Sequence, residues 1–342
     1  MDNRNNNQAS EPVGMVTVVD EHPRFWCEFI LWLISANAHM QGPKRVYFIG
    51  KTPAALVDFA KTHDCDVRFS KPLVPDAPHC NKILPFLDMD GFPDQIVTDA
   101  DVFVTADITR FFHPEMVRLA PNNHANPSLE IFEKLFNLAD LPVQPEPGLG
   151  LFPNMSGNRE TYAGNVSAGV IAIPRARRSF AVKWQERAQW LLHNIKELGP
   201  YHAHVDQVSF AIAAAECDLP FSHLPPQANT ILQLLPHIKQ IFALHLTSGH
   251  INRFPDWFNS DGTLCTEKIN PRIASQLEDF NTLVRRAMAE IDKTLPLRNS
   301  KKTSSAPDTT AIRPRRCLHI QHPRTCRIQR HVMLNQSQIQ LN

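Results

Sequence analysis

The chain reads as an α/β protein with a twisted, mostly parallel central sheet. Short β-branched apolar runs alternate with stretches of helical period from Met15 to Thr98, the pattern of strands joined by crossover helices. The runs are bounded by Gly, Pro and Asp, which punctuate strands and turns. With 342 residues, 43% hydrophobic and 20% charged, the chain has the size and composition of one large folded domain.

Residues 1–14 are polar and Asn-rich, lack the basic-then-apolar pattern of a signal peptide, and read as a disordered leader. Met15–Val19 is the first strand, leaving into Asp20-Glu21-His22-Pro23. Phe25–Ala38 has helical spacing; it is too short to span a membrane and carries Glu28, so it reads as a buried helix. Arg45–Ile49 is a second strand ended by Gly50, Pro53–Thr62 a second helix with Pro in its first turn, and Val67–Phe69 a third strand. Gln95–Thr98 is a strand running into Asp99-Ala100-Asp101, and Val102–Thr105 reads as its continuation. From Phe112 to Gly164 the chain is rich in Pro, Asn and Gly around one helical stretch, Ser128–Leu138, as expected of an active-site or acceptor-binding insertion. Val166–Ile173 is a strand stopped by Pro174. Helices come next over Arg177–Glu197 and Gln207–Cys217, then a core strand at Ile241–Leu246 and a surface helix over Pro271–Leu295. The folded domain is thus placed at 15–296 and a basic disordered tail at 297–342.

The net charge of +1 hides an asymmetry. From Arg298 onward nine Lys/Arg face one acidic residue, so the remainder carries −7. No basic stripe runs through the body, which argues against nucleic acid as a partner. The seven cysteines are scattered and form no C-x-x-C pair, so neither a zinc site nor a disulfide framework is expected. They fit reduced thiols in a cytoplasmic protein, free or peripheral to a membrane.

The sharpest local signal is Ile96-Val97-Thr98-Asp99-Ala100-Asp101-Val102-Phe103-Val104. Carboxylates at i and i+2 point apart on a regular strand, but where the strand turns both can reach one hard cation. A bare D-x-D is more often a solvated turn; here apolar flanks put the pair at the edge of a core strand. Other candidates have bland readings of their own. Lys82 reads equally as a surface lysine, Asp206 as the N-cap of the helix Gln207 begins, His245 as a core histidine and Asp20 as a loop cap.

Taken in order, these motifs resemble those of GT-A nucleotide-sugar glycosyltransferases, in particular the glycogenin-like and lipopolysaccharide galactosyltransferase-like group. Val16-Thr17-Val18-Val19-Asp20 resembles the strand that grips the nucleotide base. Asn81-Lys82-Ile83 lies where the group has a donor-reaching lysine, and Asp99-Ala100-Asp101 with Ala106-Asp107-Ile108 after it is similar to its metal-binding strand. Ser167-Ala168-Gly169-Val170 resembles its Asn-Ser/Ala-Gly-Val strand, His204-Val205-Asp206-Gln207 its Asp-Gln, and Leu244-His245-Leu246-Thr247-Ser248-Gly249 its late His-x-x-Gly segment. The departures mark a divergent chain. Ser167 replaces the usual Asn, Gly249 comes one residue late, and Pro255-Asp256-Trp257 stands where a Lys-Pro-Trp is usual.

The resemblance implies a GT-A-like α/β/α sandwich that moves a sugar, a hexose in most of that group, from a nucleotide-sugar donor such as a UDP-sugar. The acceptor would be a hydroxyl of a glycan, lipid or protein. It implies Mn²⁺ or Mg²⁺ held by Asp99, Asp101 and His245, with His250 the rival third ligand. Val18, Asp20, Lys82, Asp99, Ser167 and Gly169 would bind the donor, and Asp206 and Gln207 would act at the sugar.

Other classes stay in view. A nucleotidyltransferase of similar fold also pairs carboxylates with a metal, but Asp20-Glu21-His22-Pro23 is not its Gly-rich basic loop. A non-catalytic nucleotide-sugar-binding relative would show the same motifs. Leu87-Asp88-Met89-Asp90-Gly91 is similar to the nucleophile motif of haloacid-dehalogenase phosphatases, yet Pro85 precedes it and Phe92-Pro93 comes after, so a loop is the economical reading.

Overall fold

The computed structural model describes residues 12–295 except 76, 153–158 and 248–252. The leader up to residue 11, the tail from 297, and the Ser248-Gly249-His250 part of the late motif lie outside them.

In chain order the elements are β1 (Gly14–Val19), α1 (Pro23–His39), β2 (Lys44–Ile49), α2 (Ala54–Thr62), β3 (Cys65–Ser70), α3 (Leu84–Leu87), β4 (Gln95–Thr98), β5 (Val102–Val104), β6 (Val117–Pro121) and α4 (Leu129–Leu138). Next come β7 (Pro147–Gly148), β8 (Thr161–Tyr162), β9 (Val166–Ile173), α5 (Phe180–His193), α6 (Val205–Glu216), β10 (Phe221–His223), β11 (Thr230–Ile231), β12 (Ala243–His245), α7 (Thr266–Ile269) and α8 (Ala274–Thr294).

The main sheet has seven strands in the order β10-β6-β9-β4-β1-β2-β3. β1 through β4 are mutually parallel, and β9 pairs antiparallel with both β4 and β6, so it alone runs against the rest. This is the expected α/β/α sandwich on a mostly parallel sheet. Alternate residues of β1 feed opposite cores: Met15 and Val19 face the side of Trp32, Phe103 and Phe280, and Val16 the side of Trp184, Phe210 and Phe132. Helices α1 and α8 cover the first face, α5 and α6 the second. That double cover explains why β9 is buried at all eight positions.

Four readings from the sequence are corrected. Val102–Val104 does not continue β4; after the aspartates the chain leaves the main sheet, and β5 pairs antiparallel with β12 in a second sheet, β11-β12-β5. The expected core strand at Ile241–Leu246 is the short β12 of that sheet. The 112–164 stretch is not only insertion, because β6 lies within it and extends the main sheet. The helix expected over Arg177–Glu197 is shorter: α5 ends at His193, and irregular turns through Gly199 and Pro200 lead to α6.

No helix among the described residues is long and apolar enough to cross a membrane. Cys65, Cys80, Cys217 and Cys265 are free thiols. Cys27 is instead disulfide-bonded.

Candidate active site

The two aspartates sit where β4 ends and the chain crosses between sheets. Asp99 is tied to β9 by its N–H, which donates to the Gly169 carbonyl at 3.0 Å, and the Asp101 carbonyl accepts from Leu246 N–H at 2.9 Å. Helix α1 braces the same corner. Trp32 Nε1 donates to Thr98 Oγ1 at 2.7 Å, and Val104 N–H donates to Ser35 Oγ at 3.1 Å. The D-x-D turn therefore rests on the buried face of a helix that the apolar run Phe29–Ile34 forces into the core.

One ligand atom each from Asp99, Asp101 and His245 lie within 4.8 Å of one another. His245 reaches this point from the end of β12, with Nε2 3.3 Å from Asp101 Oδ1. Its Nδ1 lies 3.1 Å from Asn229 Oδ1, an atom that can only accept, so Nδ1 carries a proton and Nε2 faces the aspartates. Burial pulls the His245 ring down, but Asp101 outweighs it and holds the ring above its ordinary value. Burial also pushes Asp101 up, and there His245, with Arg24 and Lys82, outweighs it and keeps the carboxyl below the usual range. Two carboxylates and one imidazole suit Mn²⁺, and Mg²⁺ less well because it prefers an all-oxygen shell. The residues fit the implied metal.

Lys82, at the end of a 3₁₀ turn over Pro78–Ile83, joins the cluster. Its Nζ lies 2.7 Å from Asp99 Oδ1 and 3.1 Å from Asp206 Oδ2, and donates to the Ala168 carbonyl at 3.2 Å. An ammonium has three protons, and all three are taken up inside the protein. Desolvation works against the charge on Lys82, but Asp99 and Asp206 override it and hold its pKa well above the ordinary lysine value. Asp206, in the first turn of α6, is 2% exposed and its Oδ1 is buried with no hydrogen-bond partner among the described residues. It is thus a member of the charged cluster and not simply a helix cap. Gln207 comes directly after it, half-buried.

A cavity of about 290 Å³ opens beside the cluster, lined by Val18, Asp20, Arg24, Glu28, Lys82, Asp99 and Asp101 among others. It lies at the C-terminal ends of β1 and β4, where open α/β sheets bind ligands. Asp20 stands across it, its Oδ1 accepting from Asn81 Nδ2 at 2.7 Å, and burial lifts its carboxyl above the usual value. The cluster thus gathers Lys82, Asp99, Asp101, Asp206 and His245, with Asp20 and Val18 along the wall. Ser167 and Gly169 lie beneath it on β9. Ser167 Oγ is 3.4 Å from Asn229 Nδ2, so this serine meets the histidine's support.

Gly169 has a steric role. A Cβ there would lie 2.6 Å from His245 Cε1 and 2.7 Å from Nδ1, inside the distance real contacts adopt. Gly169→Ala is expected to displace the ring, costing about 1–3 kcal/mol of stability and weakening manganese affinity several-fold. Thermal melts and a manganese titration check this, and unchanged metal affinity would show the ring is not held for that purpose.

Asn229, Arg24 and Glu28 belong to the site and carry no sequence signal that marks them for it. Arg24 and Glu28 stand at i,i+4 spacing, which reads as an ordinary helical ion pair. Nothing local marks Asn229. Asp88, the phosphatase-like candidate, lies in a turn after α3, where its Oδ2 accepts from Tyr47 Oη at 2.5 Å and faces Arg45 at 3.6 Å. A carboxylate so engaged is a structural anchor, and it does not line the cavity beside the D-x-D cluster.

No sequence-family model matches the chain, and no curated protein does. Solved structures similar to it are glycosyltransferases. They include mouse xyloside xylosyltransferase 1, at 14% identity and TM-score 0.44 over 70% of this chain and 99% of that one. The galactosyltransferase LgtC, solved with donor and acceptor sugar analogues, is similar at 11% identity and TM-score 0.48 over 80% and 96%. The glycosyltransferase GlyE of Streptococcus pneumoniae is similar at 12% and 0.47 over 82% of this chain, which spans 64% of GlyE. With TM-scores below 0.5, function has to be judged from the site's own residues.

Proposed function

We propose that the chain is a metal-dependent glycosyltransferase taking its sugar from a nucleotide-sugar donor, a UDP-sugar first among them. The observation that carries this reading is the Asp99-Asp101-His245 triad beside a cavity walled by Asp20 and braced by Lys82. Manganese or magnesium held by the triad would supply positive charge against the leaving nucleoside diphosphate.

The chain's own residues divide the remaining work. Asp20, held by Asn81, presents a carboxylate oxygen to the base or ribose over the Val18 wall. Lys82 locks Asp99 and Asp206 in one geometry, so neither carboxylate has to reorganise as charge moves. Asp206 orients the sugar or the incoming hydroxyl, and Gln207 extends the same helix start. As the acceptor oxygen bonds to the anomeric carbon, the bond to phosphate oxygen breaks, its electron pair leaves on the diphosphate, and the acceptor's hydroxyl proton passes to that departing phosphate oxygen. Hexosyl transfer, with the acceptor on a glycan, lipid or protein, is the form proposed.

The test is a panel of UDP-, GDP- and CDP-sugars with and without Mn²⁺, read by thermal shift and by donor hydrolysis. Metal-dependent stabilisation with slow hydrolysis of one donor supports the enzyme. Stabilisation without any hydrolysis or transfer points to a binding protein, and no response to any donor removes the nucleotide-sugar reading.

A further inference from the structure

We propose that Arg24 is a second cation for the donor's diphosphate, exchanging Asp101 for a phosphate oxygen; this rests on the nucleotide-sugar reading. Arg24 lines the cavity from the first turn of α1, and its Nη2 lies 3.6 Å from Asp101 Oδ2. That is an ion-pair distance and not a hydrogen bond, so the guanidinium faces Asp101 without being locked to it. Its stem is locked elsewhere: Nε donates to Glu28 Oε1 at 2.6 Å, one helical turn along. The planar fork keeps further N–H groups for a second anion.

The charges around the cavity call for such an anion. A metal ion on Asp99, Asp101 and His245 would take the carboxylate that Arg24 now faces. Two cations would then oppose each other across a few ångströms, and a diphosphate is the ligand that separates them. Lys82 cannot answer this need without giving up a protein partner, because all its protons are engaged. Of the two permanently charged cations lining the cavity among the described residues, Lys82 and Arg24, Arg24 is the one with donors left for a ligand; His79 lines the cavity as well.

Two further observations point the same way. Helix α1 runs for 17 residues and has no acidic residue in its first turn, so its N-terminal end favours an anion. Glu28 is 5% exposed, lines the same cavity, and its Oε2 is buried with no hydrogen-bond partner among the described residues. Burial first, then the charge of Asp101, lifts its carboxyl to about 8. Glu28 thus fixes the Arg24 stem from a buried position that itself works against a full negative charge there.

The experiment uses the full chain and titrates UDP, GDP and CDP by calorimetry in Mn²⁺, with Mn²⁺ alone tracked by electron paramagnetic resonance. Wild type is compared with Arg24→Gln and Arg24→Lys. Arg24→Gln should bind the preferred diphosphate about tenfold more weakly, the loss of one charge-assisted contact, and Arg24→Lys should recover part of it. Manganese alone should bind Arg24→Gln at least as tightly as wild type, since a cation competing for Asp101 is gone. Opposite signs for the two ligands are what general structural damage would not give. Unchanged diphosphate affinity overturns the proposal while the donor reading stands. Equal weakening of diphosphate and metal also overturns it, by making Arg24 a structural residue. If wild type binds none of the three diphosphates, the donor reading and the proposal fall together.

Discussion

Asp101→Asn is expected to abolish turnover while the protein stays folded. The side chain is 15% exposed, lines the cavity, and its contacts are charged ones, His245 Nε2 and Arg24 Nη2. What fixes the turn is the Asp101 carbonyl, which accepts from Leu246 N–H at 2.9 Å and is unaffected by the change. Asn keeps the shape and one acceptor oxygen but removes the negative charge. The triad then offers one carboxylate and one imidazole, a weak set for a hard cation. The His245 ring also loses the neighbour that holds it above its ordinary value, so at neutral pH it shifts toward the uncharged form. Losing several kcal/mol of charge stabilisation corresponds to a fall of at least about a thousandfold in rate. Donor hydrolysis against manganese concentration gives the rate, and circular dichroism the fold. A variant that turns over normally, or a wild type fully active in excess chelator, would remove the metal from the reaction.

The elements legible in the sequence are those whose signals are local. β1, α1, β2 and α2 succeed one another with clean periodicity, and the sequence places each within a residue or two of its ends. β6 escapes such a reading because five residues ending in Pro121, inside an Asn- and Pro-rich stretch, look like loop; its burial comes from pairing with β9 and β10 and from the core beneath α5 and α6. β5 looks like a continuation of β4 because both are apolar, and only the turn at Asp99-Ala100-Asp101 sends it to another sheet. Site residues divide in the same way. The D-x-D pair is visible as two carboxylates closing an apolar run. That Lys82 grips Asp206 across more than a hundred residues is not, nor that Asn229 supports His245. Such contacts belong to the folded arrangement of strands, and motif order alone hints at them.

Lys82→Met is the second large expected effect, and it falls on stability first. Asp206 is buried on α6, its Oδ1 has no partner among the described residues, and its Oδ2 rests on Lys82 Nζ at 3.1 Å. Methionine fills the same space without the charge, leaving Asp206 and Asp99 facing each other across an apolar side chain. Removing one partner from a buried ion pair costs about 3–5 kcal/mol, and melting should drop on the order of 10 °C. The pH dependence is set by the sign of the shift. Lys82 is held above its unfolded value, so its stabilisation is fully present below about pH 10 and is lost as pH rises through the folded value. In the variant, acid should restore part of the loss, because a protonated carboxyl needs no cation. Adding Asp206→Asn to Lys82→Met should restore more at neutral pH, and the double-mutant cycle would then show strong coupling between positions 82 and 206. Melts of the four proteins at pH 5 and pH 8 decide it. If Lys82→Met melts like wild type at pH 8, or if Asp206→Asn gives no recovery, the buried cluster does not depend on this lysine.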